Sequence, residues 1–381
     1  MSHAAEQLAA WAATHGQSLP PEVANGYAAN ARVELAPWRA RGIEAGALER
    51  ALAASPDLQR YQVLDGVLYR VPRRDPPGKE WLDRGRRDFE AMFLRLFRRP
   101  ECPRPDLDLV VNLGDYPVRD FPVFSTWVRA DDLNPRLPSS AHWDSGTHGA
   151  DADGTAVRCH RIFEPEAVAR PFEEREPRVV WRGSATGLWD HDVRRARVRA
   201  WLGRPWGSRV PRVTLVRLAE HHPDVLDAAF TGFAQLSARN ASFVSARLRT
   251  EAWVPQSWFL RHRYVVNVDG NVATWSFLTL LGSGSVVLRQ ESTYLEFCGP
   301  QLRAHRPWIP VAPDLSDLVE RARWCLSHPD ETGVLAGEAR AFSARWLSGH
   351  AVDHYVACLV SEYAHAFRGP VRGVSAAERI G

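Results

Sequence analysis

Three short stretches hold the residue types that could do chemistry. In Asn112-Leu113-Gly114-Asp115-Tyr116-Pro117 a carboxylate follows directly on the apolar run 107–113. Ligands of α/β sheets bind in the loops beyond the strands' carboxyl ends, where an acid can take a proton from a hydroxyl; the same Asp can equally shape the turn before Tyr116-Pro117. In residues 178–187 (RVVWRGSATG) an apolar strand runs into a turn of small, hydroxyl-bearing residues and the Arg-rich stretch 192–202 follows, so N–H donors, a hydroxyl and a nearby guanidinium are available together. In residues 264–310 an apolar strand breaks at Asp269-Gly270-Asn271, passes Val272 and Ala273, and restarts as a helix predicted over 274–281, with Thr274, Trp275 and Ser276 in its first turn. N–H groups exposed at such breaks attract phosphate. Both turns read as sites for a phosphorylated ligand, although an α/β unit repeats strand, glycine turn and helix with no ligand at most of its turns.

The elements that must position these stretches follow from spacing. Ala-rich segments at 4–14 and 43–54 predict helices, and residues 61–71 predict a hairpin around Asp65-Gly66. Phe89, Met92, Phe93, Leu96 and Phe97 recur at helical spacing, which predicts an amphipathic helix over 86–98 with an aromatic face in the core. Residues 285–289 predict a strand parallel to the one before Asp269 across a right-handed crossover. An Arg-rich helix is expected over 192–202 and a further strand over 211–218. Asp317 followed by Glu320 predicts a capped helix ending near His328-Pro329, with two more helices near 330–347 and 350–367.

Composition bounds the answer without choosing it. The 381 residues can fill two domains, and 45% hydrophobic with 24% charged residues is the balance of a globular protein. A net charge of +3, with Lys79 the only lysine, is too mild to imply a nucleic-acid partner. The start lacks a basic leader and no run approaches the roughly 18 apolar residues of a membrane span, so a cytoplasmic location is expected. Cys102, Cys159, Cys298, Cys325 and Cys358 form no CxxC pair and are expected to be free thiols. Asp151-Ala152-Asp153 spells DxD in a loop, and His142 and His148 have no carboxylate cluster near them in sequence, so no metal site is expected.

The order of motifs resembles glycosyltransferase family 90, which includes the Rumi-type protein O-glucosyltransferases, capsule-associated xylosyltransferases and bacterial lipopolysaccharide-modifying relatives. The likeness runs over about residues 60–368. It is carried by NLGDYPVRDFPVFS at 112–125, WRGSATG at 181–187, NVDG at 267–270, GSGSVVL at 282–288, YLEF at 294–297, PQL at 300–302, IPV at 309–311 and DLSDL at 314–318.

The resemblance implies a GT-B type α/β fold with two Rossmann-like domains facing across a cleft: an acceptor-side domain over 1–175, a UDP-sugar domain over 176–345, and a C-terminal helix, 346–381, returning to the first. It implies an inverting, metal-independent transfer of glucose or xylose from a UDP-sugar, with no further cofactor, to a saccharide such as a lipopolysaccharide or capsule precursor. Peripheral membrane association through a lipid-linked acceptor is compatible with it. Asp115 becomes the general base, and Tyr116 and Trp143 fall on the acceptor side. Arg182, Gly183, Ser184, the turn from Asp269 to Ser276, and Glu296 fall on the donor side. An arginine is expected soon after Ser184, with Arg194, Arg195 and Arg197 as candidates and Arg195 preferred. Two positions depart from the Rumi-type pattern: Ser276 stands where those members have a phosphate-gripping arginine, and Pro307-Trp308 stands where HY is common. A catalytically silent sugar-nucleotide or glycan-binding relative, and a transferase acting on a cytoplasmic peptide or small metabolite, are the competing readings.

Overall fold

The computed structural model describes residues 3–75, 81–99, 102–138, 170–201 and 210–380. The chain divides into two compact units, the first formed by Met1–Arg161, Tyr294–Ala304 and Arg345–Gly381, the second by Ile162–Thr293 and His305–Ala344. In chain order the elements begin with α1 (His3–Gly16), α2 (Pro21–Arg41), α3 (Ala45–Ala54), β1 (Leu58–Leu64), β2 (Val67–Arg70), α4 (Trp81–Phe97), β3 (Leu107–Asn112), β4 (Val123–Phe124) and β5 (Val128–Arg129). There follow β6 (Glu176–Ser184), α5 (Asp190–Trp201), α6 (Pro211–His221), β7 (Leu226–Gly232), α7 (Ala238–Ser245), β8 (His262–Asn267), α8 (Ser276–Leu281), β9 (Val286–Gln290) and β10 (Tyr294–Leu295). The chain closes with α9 (Gly299–His305), β11 (Ile309–Val311), α10 (Leu318–Ser327), α11 (Pro329–Trp346), α12 (Gly349–Ala366) and β12 (Glu378–Arg379).

The first unit is built on a five-stranded sheet in the order β12-β2-β1-β3-β4. Only β3 and β4 pair in parallel; the other neighbours are antiparallel. A Rossmann-like parallel sheet was expected here, and the hairpin is what prevents it. Asp65 and Gly66 both take positive φ (48° and 73°), the two-residue turn that matches the twist of paired strands, and so β1 and β2 must run antiparallel. Against the sheet, the aromatic face of α4 is buried as its spacing predicts, with Phe89 and Phe93 ring centroids 4.5 Å apart.

A second layer of this unit is helical. In α12 every residue from 351 to 361 is buried, as expected of a helix that is apolar all round, and it packs on α1 and α2. Its one buried acid, Asp353, is paired by Arg95 and Arg99. The sequence reading made no assignment for α2, whose Gly26 and Pro37 argue against a helix. The helix survives because Pro21 sits in its first turn and Val23, Tyr27, Ala31, Leu35 and Trp38 bury one continuous stripe.

His15 ends α1 with its ring 4.2 Å from that of His350 and 6.2 Å from that of His354. Burial, then the charges of His350 and Arg99, lower it from 6.5 to about 4. A histidine depressed in the folded state contributes stability above its unfolded pKa and loses it as pH falls through the folded one. Glu34, buried against Arg136 and pushed up to about 7 by burial, acts in the opposite sense. His15→Phe keeps the ring and removes the titration, so its melting temperature is expected to fall less steeply than that of the unsubstituted protein between pH 6.5 and 4. Calorimetry across that range checks it.

The second unit is a five-stranded, wholly parallel sheet in the order β11-β9-β8-β6-β7. The chain winds from β6 outward to β7, returns to the other side of β6 to lay down β8, and continues through β9 to β11. The winding therefore reverses between β6 and β8. In sheets of this kind ligands bind outside the carboxyl ends of the two strands that flank such a reversal. Residues 211–218, expected as a strand, form most of α6 instead. Pro211 occupies the first turn, where its missing N–H costs nothing, and Val213, Val216 and Ala219 bury one helical face. The strand comes later, as β7. Asp317 precedes α10 but does not cap it through its side chain: Oδ1 accepts from the Ala312 N–H at 2.8 Å and Oδ2 from Arg321 at 3.1 Å.

Candidate functional site

In the first unit, Asp115 lies in the bend after β3 and is exposed. The bend is held from below. Asn112, the last residue of β3, accepts the Gly114 N–H at 2.9 Å and donates its amide to the Tyr116 carbonyl at 2.8 Å. Leu113 donates to the Asp57 carbonyl at 2.9 Å, and a Cβ on Gly114 would lie 2.7 Å from the Asp57 carboxylate. Asp115 is thus presented by a loop that Asn112 fastens on both sides. Tyr116 is 52% exposed, and partial burial, then Asp115 and Tyr294, raise its phenol pKa, while Arg129 opposes them. Asn112→Ala removes both fastenings of the bend and is expected to lower about 10-fold any turnover that uses Asp115, with a lowered melting temperature. Steady-state kinetics beside a thermal melt checks this.

In the second unit, the turns after β6 and β8 face each other. Gly187 has φ 89°, a conformation suited to glycine, and its N–H donates to Asn271 Oδ1 at 3.0 Å. A Cβ on Gly187 would lie 2.9 Å from the Gly270 carbonyl, and one on Gly270 would lie 2.5 Å from Thr186 Oγ1. Gly187 is closed in by the Gly270 backbone and Gly270 by the Thr186 and Arg212 side chains, so neither position has room for a Cβ. Arg212, from the first turn of α6, joins them. Its Nη1 donates to the Ser184 carbonyl at 2.8 Å and to Thr186 Oγ1 at 2.5 Å; its Nε donates to the Asp269 carbonyl at 3.2 Å and its Nη2 to that of Val268 at 3.3 Å. Part of the side chain still reaches solvent, yet desolvation lowers it to about 10, partly offset by Asp269; it stays charged at neutral pH.

The other expected donor-side residues divide by what they touch. Ser184 Oγ accepts from the Ala234 N–H at 3.3 Å, which leaves its O–H to donate. Gly183 lies under the Trp181 indole, where a Cβ would come within 2.7 Å of the ring. Arg182 points to β7, donating to the Asp227 carbonyl and carboxylate at 2.9 Å and lying 4.8 Å from the Trp258 ring centre. It builds the strand pair and not the turn. Burial raises the Asp269 carboxyl, with the Ser292 hydroxyl, Arg289 and Arg212 opposing; a bond from the Thr274 N–H further ties this acid to its own turn.

Val272 and Ala273 are buried, and Trp275 is 41% exposed. The helix expected from 274 begins at Ser276 and is only six residues long, with Ser276 Oγ accepting from Asn267 at 3.2 Å. Arg194 and Arg195 are exposed on α5, Arg197 donates to Asn240 at 3.3 Å, and none of the three bonds to either turn among the described residues. Glu296 belongs to the first unit, where its carbonyl accepts from Arg136. Trp143, Cys159 and Asp151-Ala152-Asp153 lie outside the described residues; the other four cysteines are free and buried. Sequence reasoning missed Arg212 and also Arg289, a buried cation of β9 that acts on Asp269.

The second unit is thus a parallel sheet that presents two abutting glycine turns and a shared guanidinium at its reversal point, the place where sheets of this kind take ligands. The particular family is settled by comparison: the model for glycosyl transferase family 90 matches residues 24–380, and the chain belongs to that family of glycosyltransferases. It is 27% identical to protein O-glucosyltransferase 3 of Homo sapiens over 68% of this chain and 47% of that protein. It is 28% identical to protein O-glucosyltransferase 2 of Danio rerio over 72% of this chain and 50% of that protein. Against protein O-glucosyltransferase 1 of Homo sapiens the identity is 26%, over 68% and 62%. The chain spans about half the length of the first two. No helix among the described residues is long and apolar enough to cross a membrane.

Proposed function

We propose that this protein is an inverting glycosyltransferase that moves glucose or xylose from a UDP-sugar to a hydroxyl of a saccharide, a lipopolysaccharide or capsule precursor. The observation that carries the donor assignment is the pair of turns, 184–187 and 268–274, joined by Arg212 at the carboxyl ends of β6 and β8. The diphosphate is assigned to these turns, with the Ser184 hydroxyl and the charges of Arg212 and Arg289 opposing the negative charge that grows on the leaving UDP. Arg212 takes the part expected of an arginine after Ser184. It also supplies a charge that Ser276 does not.

Asp115 removes the proton from the acceptor hydroxyl as that oxygen attacks the anomeric carbon; the bond to the UDP oxygen breaks on the opposite face, so the configuration inverts. One carboxylate suffices for this step, and no divalent metal is assigned a role. In this reading the donor lies on the second unit, the parallel one, and the base on the first. A protein acceptor, as the names of the relatives describe, is the second reading.

UDP release from a panel of UDP-sugars, with and without EDTA, tests the proposal. Slow, EDTA-insensitive hydrolysis of one donor identifies the sugar, and acceleration by a saccharide or by a peptide then separates the two acceptors. A protein that turns over no UDP-sugar under any of these conditions would overturn the reading.

A further inference from the structure

We propose that Arg129 and Tyr294 orient the acceptor beside Asp115 and select a saccharide that carries an anionic group, a carboxylate or a phosphate, near the receiving hydroxyl. The inference rests on the functional reading above and concerns the first unit alone.

The topology brings the residues together. β4 lies parallel beside β3, the strand that ends at Asp115's bend, with Val111 opposite Phe124. After β4 the chain soon enters β5, and β10 pairs antiparallel with it, placing Tyr294 directly opposite Arg129. Arg129 Nη2 donates to the Tyr294 hydroxyl at 2.9 Å, and the guanidinium carbon lies 4.9 Å from the ring centre. The β3–β4 and β5–β10 pairings carry this pair to the side of the sheet where β3 ends, and Asp115, Tyr294 and Arg129 all act electrostatically on the Tyr116 phenol.

Arg129 is under-used. Its Nε is buried without a hydrogen-bond partner among the described residues. The acids that act on it, Asp131 and Asp132, are engaged by Arg119 at 3.0 Å each, and Asp132 also takes the Arg129 backbone N–H. A buried Nε is out of a ligand's reach, but among the described residues the guanidinium makes its side-chain hydrogen bond through Nη2 to Tyr294, and its remaining Nη N–H groups fit the two oxygens of a carboxylate or phosphate. A neutral sugar would be served by the exposed face of Tyr116 alone. The Arg129 charge would also offset the repulsion that such an anion meets from Asp115.

The test measures UDP release stimulated by three probe classes, methyl glycosides, uronic acids and sugar phosphates, for the unsubstituted protein, Arg129→Met, Arg129→Lys and Tyr294→Phe. Acceptor-free donor hydrolysis and the melting temperature are recorded beside it. The expected result is stimulation by an anionic class, the responding one telling carboxylate from phosphate. Arg129→Met should raise the KM for that acceptor about 10- to 100-fold, the range for losing a hydrogen bond to a charged group, with kcat and donor hydrolysis little changed. Arg129→Lys should recover part of the loss, and Tyr294→Phe should fall between. Stimulation by neutral glycosides alone, or by no probe, overturns the inference. So does an Arg129→Met protein whose acceptor KM is unaltered, or one that loses donor hydrolysis in step with transfer, the mark of a purely structural role. If the unsubstituted protein turns over no UDP-sugar at all, the functional reading falls first and takes this inference with it.

Discussion

Asp115→Asn is expected to lower kcat for sugar transfer about 1,000-fold while leaving UDP affinity within about two-fold, since a positioned general base contributes about 10²–10⁴ in rate and little to ground-state binding. The substitution keeps the shape of the side chain and removes its charge and its capacity to accept a proton. The supports of the bend, Asn112 to Gly114 N–H and to the Tyr116 carbonyl, use backbone atoms and persist. One secondary change follows from the neighbourhood: Asp115 helps to raise the Tyr116 phenol, so its neutralisation lets that phenol ionise more readily. The mutant's rate should therefore rise toward alkaline pH as Tyr116 begins to substitute for the missing base, and Asp115→Asn/Tyr116→Phe should abolish that rise. Donor titration and pH–rate profiles on the same preparations check both statements. A mutant that keeps more than about a tenth of the rate would show that another group removes the proton, because that is below what a base of this kind contributes.

The second unit was the more legible half of the molecule, and the reason is local. Strand, glycine turn, helix and strand follow one another within residues 264–290, so the contacts that define this stretch are short in sequence, and β8 and β9 pair in parallel as read. The aromatic face of α4 and the Asp65-Gly66 hairpin were legible for the same reason. What failed was information carried over distance. Residues 211–218 contain Val213, Thr214 and Val216, a β-branched run that reads as a strand, but packing against β7 rewards helical spacing and overrides propensity.

An arginine was expected close to Ser184, and the one that bonds to both turns lies far from it in sequence. Arg212 is 28 residues beyond Ser184 and 57 before Asp269. No spacing rule connects those three. The residues nearer in sequence, Arg194 and Arg195, are turned outward by the helix that carries them. Arg182 sits inside the motif, and Asp227 on the neighbouring strand takes its guanidinium. An antiparallel first sheet was likewise hidden, because it depends on which strands meet, including β12 from the far end of the chain.

Arg212→Met is expected to weaken UDP binding about 100-fold, with uridine binding much less affected, because the loss falls on the part of the site that faces phosphate. Two effects contribute, and they separate experimentally. The charge itself opposes the diphosphate, and Arg212→Lys retains it. The geometry comes from the fork that spans Ser184, Thr186, Val268 and Asp269, which an ammonium cannot reproduce. If charge dominates, the lysine variant recovers most of the affinity; if the fork dominates, it recovers little. Gly270→Ala examines the geometry without touching any charge. Its new Cβ would lie 2.5 Å from Thr186 Oγ1 and 3.0 Å from Arg212 Nη2, so the turns must part. The expected cost is about 10-fold in UDP affinity with a lowered melting temperature, in the range of an overpacked contact. Thr186→Ala in the same protein removes the closer of the two clashing atoms and should return part of both losses, a non-additivity that only contacting residues produce. Calorimetric titration of UDP and uridine into the four variants measures all of this. Equal loss of UDP and uridine in Arg212→Met would mean that the residue supports the sheet end as a whole and does not act on the phosphates.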